Sequence, residues 1–182
     1  VQTLRIHAIL TIHQWEQALQ TGVVRNPVSQ VDEAGAWFLH QMGRRVRDFS
    51  GNFPVQGFTS IPAEEWYLHG SPGEEKVYIE AEVDIDTVVS FHYLGWHMFI
   101  LMGWYLASSA EEDAEFERKA PTKEELYASW ARIFTPWVLY PFIPDKTVQL
   151  AIDGIPVASV RKLERITIPE APLFCEPSET CL

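Results

Sequence analysis

The stretch KVYIEAEVDID, residues 76–86, alternates apolar Ile79, Ala81, Val83 and Ile85 with acidic Glu80, Glu82, Asp84 and Asp86. A period of two is the mark of a half-buried β-strand, because successive side chains point to opposite faces. The carboxylates would then share one face at a spacing of about 7 Å. That is too wide for neighbouring rungs to grip a cation whose oxygens must approach to about 2.4 Å. The expected role is a solvated outer face, whose like charges also discourage edge-to-edge pairing. An acidic contact surface is the alternative.

The C-terminal neighbour FHYLGWHMFILMGWYLA, residues 91–107, is shorter than the roughly 20 apolar residues of a membrane span and carries His92 and His97. It is expected to form a buried core helix, with Trp96, Phe99, Trp104 and Tyr105 as a core stripe. Ser109 with Glu112, and Thr122 with Glu125, repeat the capping-box spacing and open two further helices. The second should carry Leu126, Trp130, Ile133 and Phe134 inward. Residues 135–146, TPWVLYPFIPDK, contain three prolines beside Trp137, Tyr140 and Phe142 and are expected to form an extended wall or flap. TVQLAI and VRKLERITI read as two closing strands.

On the N-terminal side, LRIHAIL reads as a buried strand. Thr11 with Gln14 caps a helix carrying Ile12, Trp15 and Leu19 on one face, and Gly22 ends it. A second helix begins near Asp32, with Leu39, Met42, Val46 and Phe49 inward and Arg44, Arg45 and Arg47 near its end, where positive charge suits the helix dipole. Residues 50–76 are rich in turn formers and predict a long connection. Strand, helices, strand, helices, strands is an α+β order. The expectation is a single domain over 1–168, a small mixed or antiparallel sheet with packed helices, followed by a loosely held tail over 169–182.

The chain of 182 residues is 47% hydrophobic, enough for one sizeable core, and carries a formal charge of -11. Such a charge argues against binding the nucleic-acid backbone or an anionic membrane and favours basic partners. The start VQTLRIHAIL lacks the pattern of a secretory leader, so a cytoplasmic place is expected. Cys175 and Cys181 read as incidental thiols. The six histidines show no zinc spacing, and no nucleophile elbow, P-loop or dinucleotide fingerprint occurs.

In their order, LRIHAI, WEQALQTG, EAGAWFLHQMGRR, IEAEVDID, GWHMFILMGWYL, AEEDAEFE and SWARIF resemble an uncharacterised bacterial and phage family, domain of unknown function 3841. That family has a more polar stretch where this chain has PVQGF and SFHYLG. A remoter likeness is to ADP-ribosyltransferase-like domains of the DNA-modifying toxin type. IHAILTIHQWEQALQTG looks like their opening and VQLAIDGIPVASVRKLERI like their close. The resemblance implies that His7 contacts the ribose of NAD, and that Gln149 stands in the catalytic position where the family has a glutamate. It also implies Trp137 or Tyr140 as a stacking wall. A glutamine hydrogen-bonds a hydroxyl but neither takes its proton nor stabilises an oxocarbenium ion as an anion does. Two functions follow: an ADP-ribosyltransferase-like NAD-binding domain with a degenerate acid position, or a non-catalytic acidic protein that binds or inhibits a basic partner. His7 also reads as a core histidine and Gln149 as an ordinary strand polar group.

Overall fold

A computed structural model describes residues 2–26, 31–135 and 148–172. Trp137, Tyr140, Cys175 and Cys181 lie outside the described residues. The fold is α+β, with antiparallel sheets and helices packed on them. The strands are β1 (Thr3–Thr11), β2 (Val23–Val24), β3 (Val55–Gly57), β4 (Glu75–Asp84), β5 (Val88–His92), β6 (Val148–Ile152), β7 (Ile155–Pro156) and β8 (Val160–Thr167). The helices are α1 (Ile12–Thr21), α2 (Glu33–Arg45), α3 (Ala110–Arg118) and α4 (Lys123–Trp130).

Local chemistry starts and stops the helices where the sequence suggests. Thr11 and Gln14 form a complete capping box, and Gly22 closes α1 at φ 80°, a left-handed conformation that costs glycine little. Asp32 caps α2 through the amide of Gly35, and Thr122 with Glu125 makes the second complete box. Each such cap is worth about 1 kcal/mol.

Two three-stranded sheets, ordered β1-β4-β8 and β3-β6-β5, share a core. Ile6, Ala8 and Leu10 of β1 and Val77, Ile79, Ala81 and Val83 of β4 meet Val55, Leu150 and Ile152 of the second sheet. The two sheets join where the amide of His7 donates to the carbonyl of Phe58 and the amide of Phe58 donates back, both at 2.8 Å. Gly57 permits that approach: a Cβ there would sit 2.6 Å from Cδ1 of Ile152 and 3.4 Å from the carbonyl oxygen of His7. The opposite face of the second sheet is covered by α2, α4 and residues 95–100 around Trp37, Phe38, Phe91, Trp96 and Trp130. The opposite face of the first sheet carries a smaller cluster of Ile61, Tyr78, Ile166 and Ile168, with Ile9, Phe58 and Trp66 packed against it.

Several expectations need correction. The acidic strand is central, with β1 on one side and β8 on the other, so its carboxylates guard no edge. It ends at Asp84, and Asp86 sits in the 3-10 turn Ile85–Thr87, ion-paired with Arg47. Nor is the acidic face bare. Two successive β8 residues, Arg161 and Lys162, reach Glu82 and Glu80 because the β4–β8 register shifts between Glu80 and Ala81. A bulge of this kind puts neighbouring side chains on one face. Residues 91–107 do not form one core helix. Strand β5 takes the first two, a π-helical segment follows over Gly95–Ile100, and Trp104 is 55% exposed. In α1, Ala18 is buried while Leu19 is 60% exposed. Of the expected inward row, Met42 and Val46 are buried, Phe49 packs against the same core and Leu39 is half-buried, while helix α2 also turns inward Ala34, Trp37, Phe38 and Gln41. Ile133 and Phe134 belong to a 3-10 turn after α4. Among the described residues no helix is long and apolar enough to cross a membrane.

Candidate functional site

His7 sits on β1 with its side chain on the face opposite the shared core, half-buried and paired in register with Glu80. Its Nδ1 lies 2.7 Å from the hydroxyl of Tyr78, and that hydroxyl lies 3.1 Å from Oε1 of Glu80. A carboxylate only accepts, so the single proton of Tyr78 goes to Glu80. The phenolic oxygen then accepts from Nδ1–H of His7, which leaves Nε2 as a bare lone pair. Lys162 completes the row, 3.7 Å from Glu80 and 5.2 Å above the Tyr78 ring.

The surroundings hold this chain in place. The 3-10 helix Ala63–His69 lays Trp66 beside Tyr78 at 5.7 Å between centroids, and His69 meets Phe58 edge-on at 5.2 Å. Burial lowers the pKa of His7 below the usual histidine value; the charge of Glu80 opposes this, and those of Arg5 and Lys162 add to it. Burial, then the hydrogen bond to Glu80 and the carboxylate charges of Glu80 and Glu164, push Tyr78 up to about 12. At neutral pH the row therefore holds a neutral imidazole and a protonated phenol. Nε2 can accept a hydroxyl proton, in binding or as a base.

Gln149 is reached through the register. Gly57 pairs with Leu150, so one further step along β3 and β6 sets Phe58 opposite Gln149. Phe58 also bridges to His7. His7 and Gln149 thus fall in one row across the joined sheets, two strand steps or about 10 Å apart, with Phe58 between them. Gln149 is 1% exposed, and its Oε1 has no hydrogen-bond partner. An orphaned buried acceptor costs about 1–3 kcal/mol. The amide of Gln149 is sealed from water, and an amide has no proton-transfer role.

In the sequence Glu80 is legible only as one rung of an acidic ladder, and Tyr78 carries only a weak signal. Its signal was its place two residues before Glu80, which puts both on one face of the strand. Lys162 and Trp66 come from distant segments and left no local signal. Trp137 and Tyr140, expected as a stacking wall, lie outside the described residues. Compared with models of protein families, with curated proteins and with solved structures, the chain matches none.

Proposed function

We propose that this chain is a binding domain of ADP-ribosyltransferase-like kind, which holds NAD through a ribose hydroxyl at His7 and does not transfer ADP-ribose. The observation that carries the reading is the hydrogen-bonded chain Glu80–Tyr78–His7, which fixes the tautomer of the half-buried imidazole and leaves Nε2 as an acceptor. Gln149 is neutral and 1% exposed, so that position offers a bound ligand no anion to stabilise an oxocarbenium ion, which supports binding without transfer. Trp66 and Phe58 give the row apolar walls.

Calorimetric titration with NAD tests this. Saturable heat in the native chain that is lost in His7→Ala and kept in Arg45→Met is the expected result. Unchanged NAD affinity in His7→Ala overturns the assignment.

A second reading, contact with a basic protein, has one observation in its favour. Glu111, Glu115 and Glu117 of α3 are exposed and have no ion pair among the described residues. The strand contributes less to such a surface than the sequence implied, because Glu80 and Glu82 already have cationic partners.

A further inference from the structure

A cleft of about 1050 Å³ runs between α2 and α4, and its lining includes no residue of the His7 row. Its α2 wall uses positions three and four apart, the spacing that puts side chains on one helix face. At one end stand Arg44 and Arg45, at the other Glu33, Lys123 and Tyr127, with exposed His40 between them. Trp37 lies beneath.

Neither arginine has a carboxylate partner among the described residues, and both line the same end of the cleft. Arg45 is nonetheless held still. Its Nη1 donates to Oε1 of Gln41 at 2.6 Å, and its guanidinium rests 4.0 Å from the centre of the Phe134 ring. Gln41 is itself buried at 8% exposure. Burial, and then the charge of Arg44, lower the pKa of Arg45. The guanidinium of Arg45 is exposed and has no counter-ion among the described residues, so its charge is open to a bound oxyanion. Its remaining N–H groups and those of Arg44 offer the forked donors that phosphate takes two at a time.

The far end differs in chemistry. Glu33 accepts from Lys123 at 2.6 Å and from the Tyr127 hydroxyl at 2.5 Å, so its carboxylate is fixed and can accept further bonds. Eleven residues of helix separate Glu33 from Arg44, about 17 Å at 1.5 Å per residue. We propose that this cleft binds a phosphorylated small molecule of nucleotide size, its phosphate on Arg44 and Arg45 and its hydroxyl- or amino-bearing end toward Glu33. Two guanidinium groups at one end of the cleft carry charge that a phosphate dianion matches better than a single carboxylate.

The test is titration of the full chain with ADP, adenosine and inorganic pyrophosphate. Saturable ADP binding is expected, with adenosine at least about tenfold weaker. Arg45→Met, which removes the charge and keeps an unbranched apolar side chain, should weaken ADP by about tenfold or more, and His7→Ala should leave it unchanged. Arg44→Met gives the same answer if Arg45→Met fails to fold, since no hydrogen bond to Gln41 depends on Arg44. No saturable heat with ADP up to about 10 mM overturns the site. So does ADP binding that survives both arginine changes, or that falls only in His7→Ala. Pyrophosphate binding as tightly as ADP overturns the nucleotide-sized ligand.

Discussion

Two of the tyrosine–carboxylate pairs, both partly buried, are built from the same parts and end differently. Tyr78 donates to Glu80 beside Lys162, and Tyr105 donates to Glu112 beside Arg132. Both phenols are pushed up to about 12, by burial first and then by the carboxylate they face. At Glu112 every oxygen is occupied: Arg132 donates through two nitrogens at 2.9 and 2.7 Å, and Ser108 donates through its amide at 2.7 Å and its hydroxyl at 2.6 Å. Arg132 spends a further hydrogen bond on the carbonyl of Leu106 at 2.6 Å. That network has no open end, and it ties α3 to the turn after α4. The Tyr78 network instead continues to His7 and stops at an unfilled nitrogen. A saturated network holds structure together, whereas one with a free acceptor is the better place to look for a ligand.

The largest expected effect comes from breaking the saturated network. Glu112→Ala leaves Arg132 partly buried without its carboxylate and should cost about 3–4 kcal/mol, lowering Tm by roughly 6–15 °C for a domain of this size. Glu80→Ala, at the more open pair, should cost about 1 kcal/mol or less. Thermal melts of the two variants side by side decide it. Equal losses would mean that the two networks do not differ in kind.

Acid titration sharpens the same contrast. Burial raises the Glu112 carboxyl, but the bonds from Arg132, Ser108 and Tyr105 overcome it and hold it at about 2. A depressed carboxylate binds its proton first in the unfolded chain, so its contribution is full above the usual value of 4.5 and is lost as pH falls toward about 2. The stabilisation at stake is on the order of 2–3 kcal/mol. Denaturant midpoints measured across that window should fall in the native chain and flatten in Glu112→Gln. A curve that keeps its full slope in the variant would place the acid sensitivity elsewhere.

The sequence made the pieces legible more readily than their company. The caps at Thr11, Asp32, Ser109 and Thr122 depend on neighbours three residues away, and all four form. Glu112 shows the limit of that signal. Ser109 accepts from its amide as expected, but its side chain turns to Ser108 and Arg132 instead of back to the cap. The strand over residues 76–84 was plain from its alternation, yet its central position depends on Thr3–Thr11 and Val160–Thr167, whose pairing no local pattern encodes. The failed helix at residues 91–107 has the same cause. An apolar run records burial without period, and Phe91 spends it on a sheet while Trp96 spends it under α2. His7 was picked out by resemblance, but Tyr78, 71 positions away, makes it distinctive.

Within the open network, Tyr78→Phe removes the acceptor that fixes the His7 tautomer. It should cost about 1 kcal/mol in stability, weaken NAD binding, and leave Tm close to that of Tyr105→Phe. The distinction is in ligand affinity, where Tyr105→Phe should have no effect. NAD affinity unchanged in Tyr78→Phe would detach the hydrogen-bonded chain from the site.

The smallest changes in stability carry the clearest sign. Lys162 is half-exposed and its pair with Glu80 spans 3.7 Å, so Lys162→Ala should alter stability by no more than about 0.5 kcal/mol. Its effect on His7 has a fixed direction. Burial is the main cause of the low His7 pKa, Glu80 raises it, and Arg5 and Lys162 lower it. Lys162→Ala should therefore move the imidazole up and Glu80→Gln should move it down, as read from the pH dependence of the His7 ring proton in NMR. A histidine lowered in the folded state makes stability fall as pH drops through the usual value of 6.5, because the unfolded chain protonates first. That slope should shrink in Lys162→Ala and steepen in Glu80→Gln. Shifts of one sign in both variants would mean that packing alone sets the His7 proton, and that the charged row across the sheet does not reach the imidazole.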